Sequence, residues 1–67
     1  MASCKYWTLK RADGDVIDSR FPALDTGEAI RCVRSWYLHG ARVDDASEVG
    51  ALLTTPDGQD YYLSVTR

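Results

Sequence analysis

The same turn chemistry occurs twice in this chain, as Arg11-Ala12-Asp13-Gly14-Asp15 and as Thr55-Pro56-Asp57-Gly58-Gln59. An Asp-Gly step between alternating apolar residues closes a β-hairpin, because glycine reaches positive φ without steric cost. A hairpin near each end leaves one helical stretch between them, Asp25 to His39. Two hairpins and one helix bury a shared apolar face in one simple way. The helix lies across one side of the sheet that the hairpins form.

The register of each hairpin follows from its loop. In the first, a two-residue Asp13-Gly14 loop would set Leu9 against Asp18 and split the apolar residues between both faces. A three-residue Ala12-Asp13-Gly14 loop pairs Leu9 with Ile17 and Trp7 with Ser19, and puts Phe21 on the same face. In the second, Pro56 suits the first corner of a type I turn and Gly58 the left-handed position. The resulting pairs are Leu53 with Tyr61, Ala51 with Leu63, and Val49 with Val65.

The helix carries its own signals. Asp25 as N-cap and Glu28 three residues later form a capping box, Leu24 can staple onto Ala29, and Gly40 is a natural stop. At about 100° per residue, Ala29, Ile30, Val33, Trp36 and Tyr37 share one arc. Arg31, Arg34, Ser35, Leu38 and His39 occupy the remainder. Beyond the helix, Ala41-Arg42-Val43 can extend briefly, and Asp44-Asp45-Ala46-Ser47-Glu48 reads as a mobile charged connection. The expected core is Trp7, Leu9, Ile17, Phe21, Ala29, Ile30, Val33, Trp36, Tyr37, Val49, Ala51, Leu53, Leu63 and Val65. The opposite sheet face carries Tyr6, Thr8, Lys10, Val16, Asp18, Arg20, Leu52, Thr54, Tyr62 and Ser64, with Asp60 at its rim.

The expectation is an α+β, two-layer ββαββ domain spanning residues 1–67, with residues 1–4 as a flexible start and a four-stranded sheet. That element order resembles the β-grasp or protein-G-like folds, over residues 5–67. The resemblance implies that the first and last strands lie side by side and parallel in the middle of the sheet. A fully antiparallel ordering of the same elements is the alternative.

Composition narrows the chemistry. The 67 residues carry 8 Lys and Arg against 10 Asp and Glu, a net charge of −2. Such a balance argues against simple coating of phosphate, though it permits a local basic patch. The start, Met1-Ala2-Ser3-Cys4-Lys5, lacks the apolar core of a signal peptide, and no run approaches a membrane span. Cys4 and Cys32 are too few for a disulfide framework and read as free thiols, so a cytoplasmic location is expected. His39 is the single histidine, and Cys32 lies two helical turns away, too far for both to hold one ion. Asp13 with Asp15, and Asp57 with Asp60, flank turn glycines without the remainder of a calcium loop. No phosphate loop is present. We therefore expect no catalytic residues, no metal and no cofactor.

Two surfaces are candidates for contact. The helix exterior offers Arg31, Arg34 and Leu38, with Arg42 just beyond. The open sheet face offers Tyr6, Lys10, Arg20, Leu52 and Tyr62. Arginine and exposed aromatics are enriched where proteins meet. Sheet-borne aromatics also stack single-stranded nucleic acid, but Asp18 and Asp60 on that face oppose phosphate. A protein partner fits the mixed charge better. In length, in a helix flanked by hairpins, and in acidic clusters beside arginines, the chain resembles anti-CRISPR inhibitors from phages and mobile elements. The resemblance implies docking on a host nuclease complex in the host cytoplasm, by acidic groups imitating phosphate or by arginines engaging an acidic site. The alternatives are a small nucleic-acid-binding domain, and an oligomeric accessory subunit joined through an edge strand.

Overall fold

A computed structural model describes residues 4–66. The expected flexible start falls outside these residues, except for Cys4, which is exposed. The elements run β1 (Lys5–Arg11), β2 (Val16–Ala23), α1 (Thr26–Trp36), β3 (Arg42–Ala46), β4 (Gly50–Thr54) and β5 (Asp60–Thr66). They form one helix and a five-stranded sheet ordered β2-β1-β5-β4-β3. Every neighbouring pair is antiparallel.

This corrects the four-stranded expectation. Asp44 to Ala46, read as part of a mobile connection, belong to an edge strand whose residues are all exposed. An edge strand pairs on one side only and tolerates charge on its faces, so a polar composition hides it. The extra strand also changes the direction of the chain. With one reversal added after the helix, β5 runs antiparallel to β1, whereas the β-grasp resemblance implied a parallel central pair. The adjacency of first and last strands is as that resemblance implied.

Both loops have three residues. Arg11 N–H donates to the Asp15 carbonyl (2.8 Å) and Gly14 N–H to the Arg11 carbonyl (2.9 Å). Thr55 and Gly58 repeat this pattern with Gln59 and Thr55, both at 2.9 Å. In β4–β5, Leu53 faces Tyr61 and Ala51 faces Leu63 as expected. In β1–β2 the expected register holds only at Lys10 and Val16. It then shifts at two bulges, giving Leu9 opposite Asp18 and Trp7 opposite Phe21. The two shifts together restore Phe21 to the core face.

The helix begins as its caps require. Asp25 accepts from Glu28 N–H at 2.9 Å, while the Glu28 carboxylate accepts from Leu24 N–H at 3.1 Å, one residue before the usual box. Leu24 itself remains 45% exposed, so it gives little to the staple expected on Ala29. The helix ends at Trp36, three residues before His39. Tyr37 and Leu38 N–H both reach the Val33 carbonyl, and Gly40, at φ 75°, shapes the turn from Leu38 to Ala41 instead of stopping the helix.

That early stop rearranges the core. Leu38 is 3% exposed and packs with Trp7, Leu9, Phe21, Ala23, Ala29, Val33, Ala41, Leu53 and Leu63. Ile17, Ile30, Ala51, Tyr61 and Val65 pack partly against them. Three expected core residues are instead exposed: Trp36 at 51%, Tyr37 at 44% and Val49 at 57%. Once the chain leaves the helical path after Trp36, the next side chain able to turn inward is Leu38. Val49 falls in the β3–β4 turn, outside both strands. The buried indole of Trp7 donates to the Ala23 carbonyl (3.1 Å), so its polar atom is satisfied.

Candidate functional site

The helix covers one side of the sheet and leaves the other open. Strand pairing places Val16, Lys10, Tyr62, Leu52 and Asp45 in one row across all five strands. At the usual spacing this row spans roughly 19 Å. Tyr6 is 43% exposed and Tyr62 48%, with Leu52 half-buried beside Tyr62. The Arg20 guanidinium lies 4.6 Å from the centre of the Tyr6 ring, a cation–π contact between two exposed side chains. Thr8 donates to the Ser19 carbonyl (3.0 Å) and meets the Thr66 hydroxyl, which binds the centre of the face to both neighbours. All five expected residues, Tyr6, Lys10, Arg20, Leu52 and Tyr62, therefore lie on the β1, β2, β4 and β5 part of the sheet that the helix leaves free.

Charge on this face is divided. Lys10 and Arg20 occupy the β1–β2 side. Asp44, Asp45 and Asp60 occupy the β3–β4–β5 side, with Arg42 bonded to Asp44 at 2.8 Å. Thr54 links Asp44 to Asp60, the latter at 2.9 Å. The Thr54 hydroxyl, and then Arg42, hold the Asp44 carboxyl below the usual carboxylate range.

Asp18 departs from the expectation. The bulges of β2 bring it opposite Leu9, a core-facing residue, and its carboxylate accepts from the Tyr37 hydroxyl at 2.8 Å. It belongs to the helix side of the sheet. The β1–β2 half of the open face thus lacks the anion that the unbulged register would put there.

The second candidate surface does not assemble. Arg31 and Arg34 are exposed on the helix, but Leu38 is in the core and Arg42 lies in β3, paired with Thr54 on the opposite side of the sheet. The expectation that these four share the helix exterior assumed a helix continuing through His39. What sequence reasoning missed is the aromatic end of that helix. Trp36 packs edge-on against Phe21 (5.7 Å) and against Tyr37 (6.3 Å), yet about half of its surface is free. The signal was available in the pair itself, because adjacent aromatics on a helix are 100° apart and cannot both point squarely at one sheet.

Among the described residues, no three His, Cys, Asp or Glu side chains gather as metal ligands. Among the same residues, no helix is long and apolar enough to cross a membrane. No family model, curated protein or solved structure matches this chain.

Proposed function

We propose that this chain is a small non-enzymatic module that binds another protein through its open sheet face. The observation that carries this reading is the uncovered sheet face, on which Tyr62 and Leu52 lie in one row with Lys10, Tyr6 meets Arg20 four residues along β1, and carboxylates occupy the β3–β4–β5 side. Tyrosine contributes large, stiff contact area, and a divided rim selects a partner by charge and orientation. Docking on a host nuclease complex as an inhibitor is the narrower form of this proposal. It draws on the likeness to anti-CRISPR proteins.

A second reading has one observation in its favour. With Asp18 turned away, Tyr6, Arg20 and Lys10 form an aromatic and cationic strip of the kind that stacks single-stranded nucleic acid. The carboxylates of Asp44, Asp45 and Asp60 oppose it on the same face. Self-pairing through an edge strand is less well supported. Both edges are bulged, β2 carries Pro22, and β3 carries Asp44 and Asp45.

The test is affinity capture from the native host with wild type, Tyr62→Ala and Lys10→Glu, each first checked for folding by circular dichroism. A partner docked on this face loses roughly 30-fold in affinity with Tyr62→Ala if that residue is central. Unchanged capture by both variants overturns the choice of surface. Leu38→Glu is unsuitable as a binding probe, since it would bury a carboxylate and report folding. An oligonucleotide titration at low and high salt separates the second reading, because phosphate contacts weaken steeply with salt.

A further inference from the structure

A second surface lies on the helix side of the sheet, at the end where both hairpin loops project. Tyr37, Leu38 and His39 face Thr55, Pro56 and Asp57 across a cleft of about 340 Å³, with Tyr61 on its floor. Trp36 extends the aromatic wall outward from Tyr37. The Tyr37 hydroxyl is already engaged, donating to Asp18, and Tyr61 stands opposite Arg11 on the neighbouring strand. Ring surfaces and a proline therefore meet an incoming chain, and no free strand edge lies in the cleft to accept an added strand.

The charge around the cleft is negative. Asp57 lines one wall, Asp18 lies just outside the cleft where it accepts from the Tyr37 hydroxyl, and the C-terminal end of α1 directs its last carbonyls toward the same region. Asp57 is kept ionised by the Thr55 hydroxyl and the Gln59 N–H, which hold its carboxyl below the usual range. Arg11, opposite Tyr61 on the neighbouring strand, is offset by two carboxylates, Asp13 at 3.8 Å and Asp15 at 3.6 Å. An aromatic groove with an anionic rim suits an extended segment that alternates prolines with cations. Prolines pre-set the polyproline II shape and stack on rings, and cations meet both the rim and the ring faces.

We infer that the Tyr37–Tyr61–Pro56 cleft, with Asp57 on its wall and with Trp36 and Asp18 on the outer side of Tyr37, docks a proline-rich basic segment of a partner protein. This surface is separate from the open sheet face and stands or falls independently of it. The probe is a nonapeptide of three Pro-Pro-Arg repeats, titrated into isotopically labelled protein and followed by amide chemical shifts and by the Trp36 indole N–H signal. The expected result is saturable shifts at Tyr37, His39, Thr55, Asp57 and Tyr61. Binding should weaken at least five-fold in Asp18→Asn with Asp57→Asn, and be unchanged in Tyr62→Ala. A Pro-Pro-Glu repeat peptide should produce no saturable shift. Absence of saturable shifts with the arginine peptide, shifts confined to Tyr6, Lys10 and Tyr62, or equal binding of the glutamate peptide would each overturn the inference.

Discussion

Hairpin β1–β2 and hairpin β4–β5 both close through a three-residue loop whose last residue is a glycine at positive φ, 99° at Gly14 and 88° at Gly58. Their loop hydrogen bonds match atom for atom, and Asp13 and Asp57 each accept from the N–H two residues on. Beyond the loops the hairpins differ. β4–β5 keeps one register from Thr54 and Asp60 to Gly50 and Ser64, while β1–β2 slips twice. The difference lies in position within the sheet. β4 and β5 are each paired on both sides, so an extra residue would break two ladders at once. β2 is an edge and can bulge at the loss of one. The other register shift in the sheet, between Val43 and Asp45, also falls in an edge strand, β3. Turn chemistry sets the first pair of a hairpin, and its neighbours decide how far that register persists.

The sharpest test of the rigid hairpin is Gly50→Ala. A Cβ on Gly50 would sit 2.5 Å from the Leu63 carbonyl oxygen, a backbone atom that cannot swing aside. The expected loss is about 2 kcal/mol, or roughly 10 °C in Tm for a domain of this size, read by thermal denaturation. A change below 2 °C would show that β4 can shift as β2 does. Next in size are Gly14→Ala and Gly58→Ala. Neither glycine has an atom within 4 Å of its virtual Cβ, so each substitution is strained by backbone conformation alone. Each should cost about 1 kcal/mol, and the two should agree closely. Unequal losses would mean that the edge hairpin relaxes its loop and that the matched hydrogen bonds conceal a difference in stiffness.

The parts legible in the sequence were those governed by local rules. Both loops and the Asp25 cap rest on residues within a few positions of one another, the register of β4–β5 follows from its loop, and the open faces of Tyr6 and Tyr62 follow from the two-residue alternation along their own strands. The parts that were not legible depend on tertiary competition. Whether a helix runs to Trp36 or to His39 turns on whether Leu38 gains more from the core than from continuing the helix, and a helical projection cannot weigh that. The same limit applies to Arg42, assigned by proximity in sequence to the helix exterior but carried by β3 to the far side of the sheet. β3 itself has only Val43 and Ala46 as apolar residues, too few for a two-residue period to show. Asp18 combines both kinds. Its place in β2 was readable, but its face was set by bulges that only an edge strand permits.

The smallest predicted effect tests that last point. Tyr37→Phe removes the hydroxyl that donates to Asp18 and leaves the ring in place. The bond is exposed, so the fall in Tm at neutral pH should be no more than roughly 3 °C. Its pH dependence is the more telling measurement. The hydrogen bond to Asp18, first, and partial burial raise the ionisation of Tyr37 above its ordinary value near 10. A group whose folded-state value is raised contributes fully below the unfolded value and loses that contribution as pH rises through the folded one. The difference in Tm between wild type and Tyr37→Phe should therefore be constant from pH 6 to 9 and close above about pH 10. If β2 kept the unbulged register, Asp18 would face the open side, out of reach of Tyr37. The two proteins would then melt together at every pH in that range.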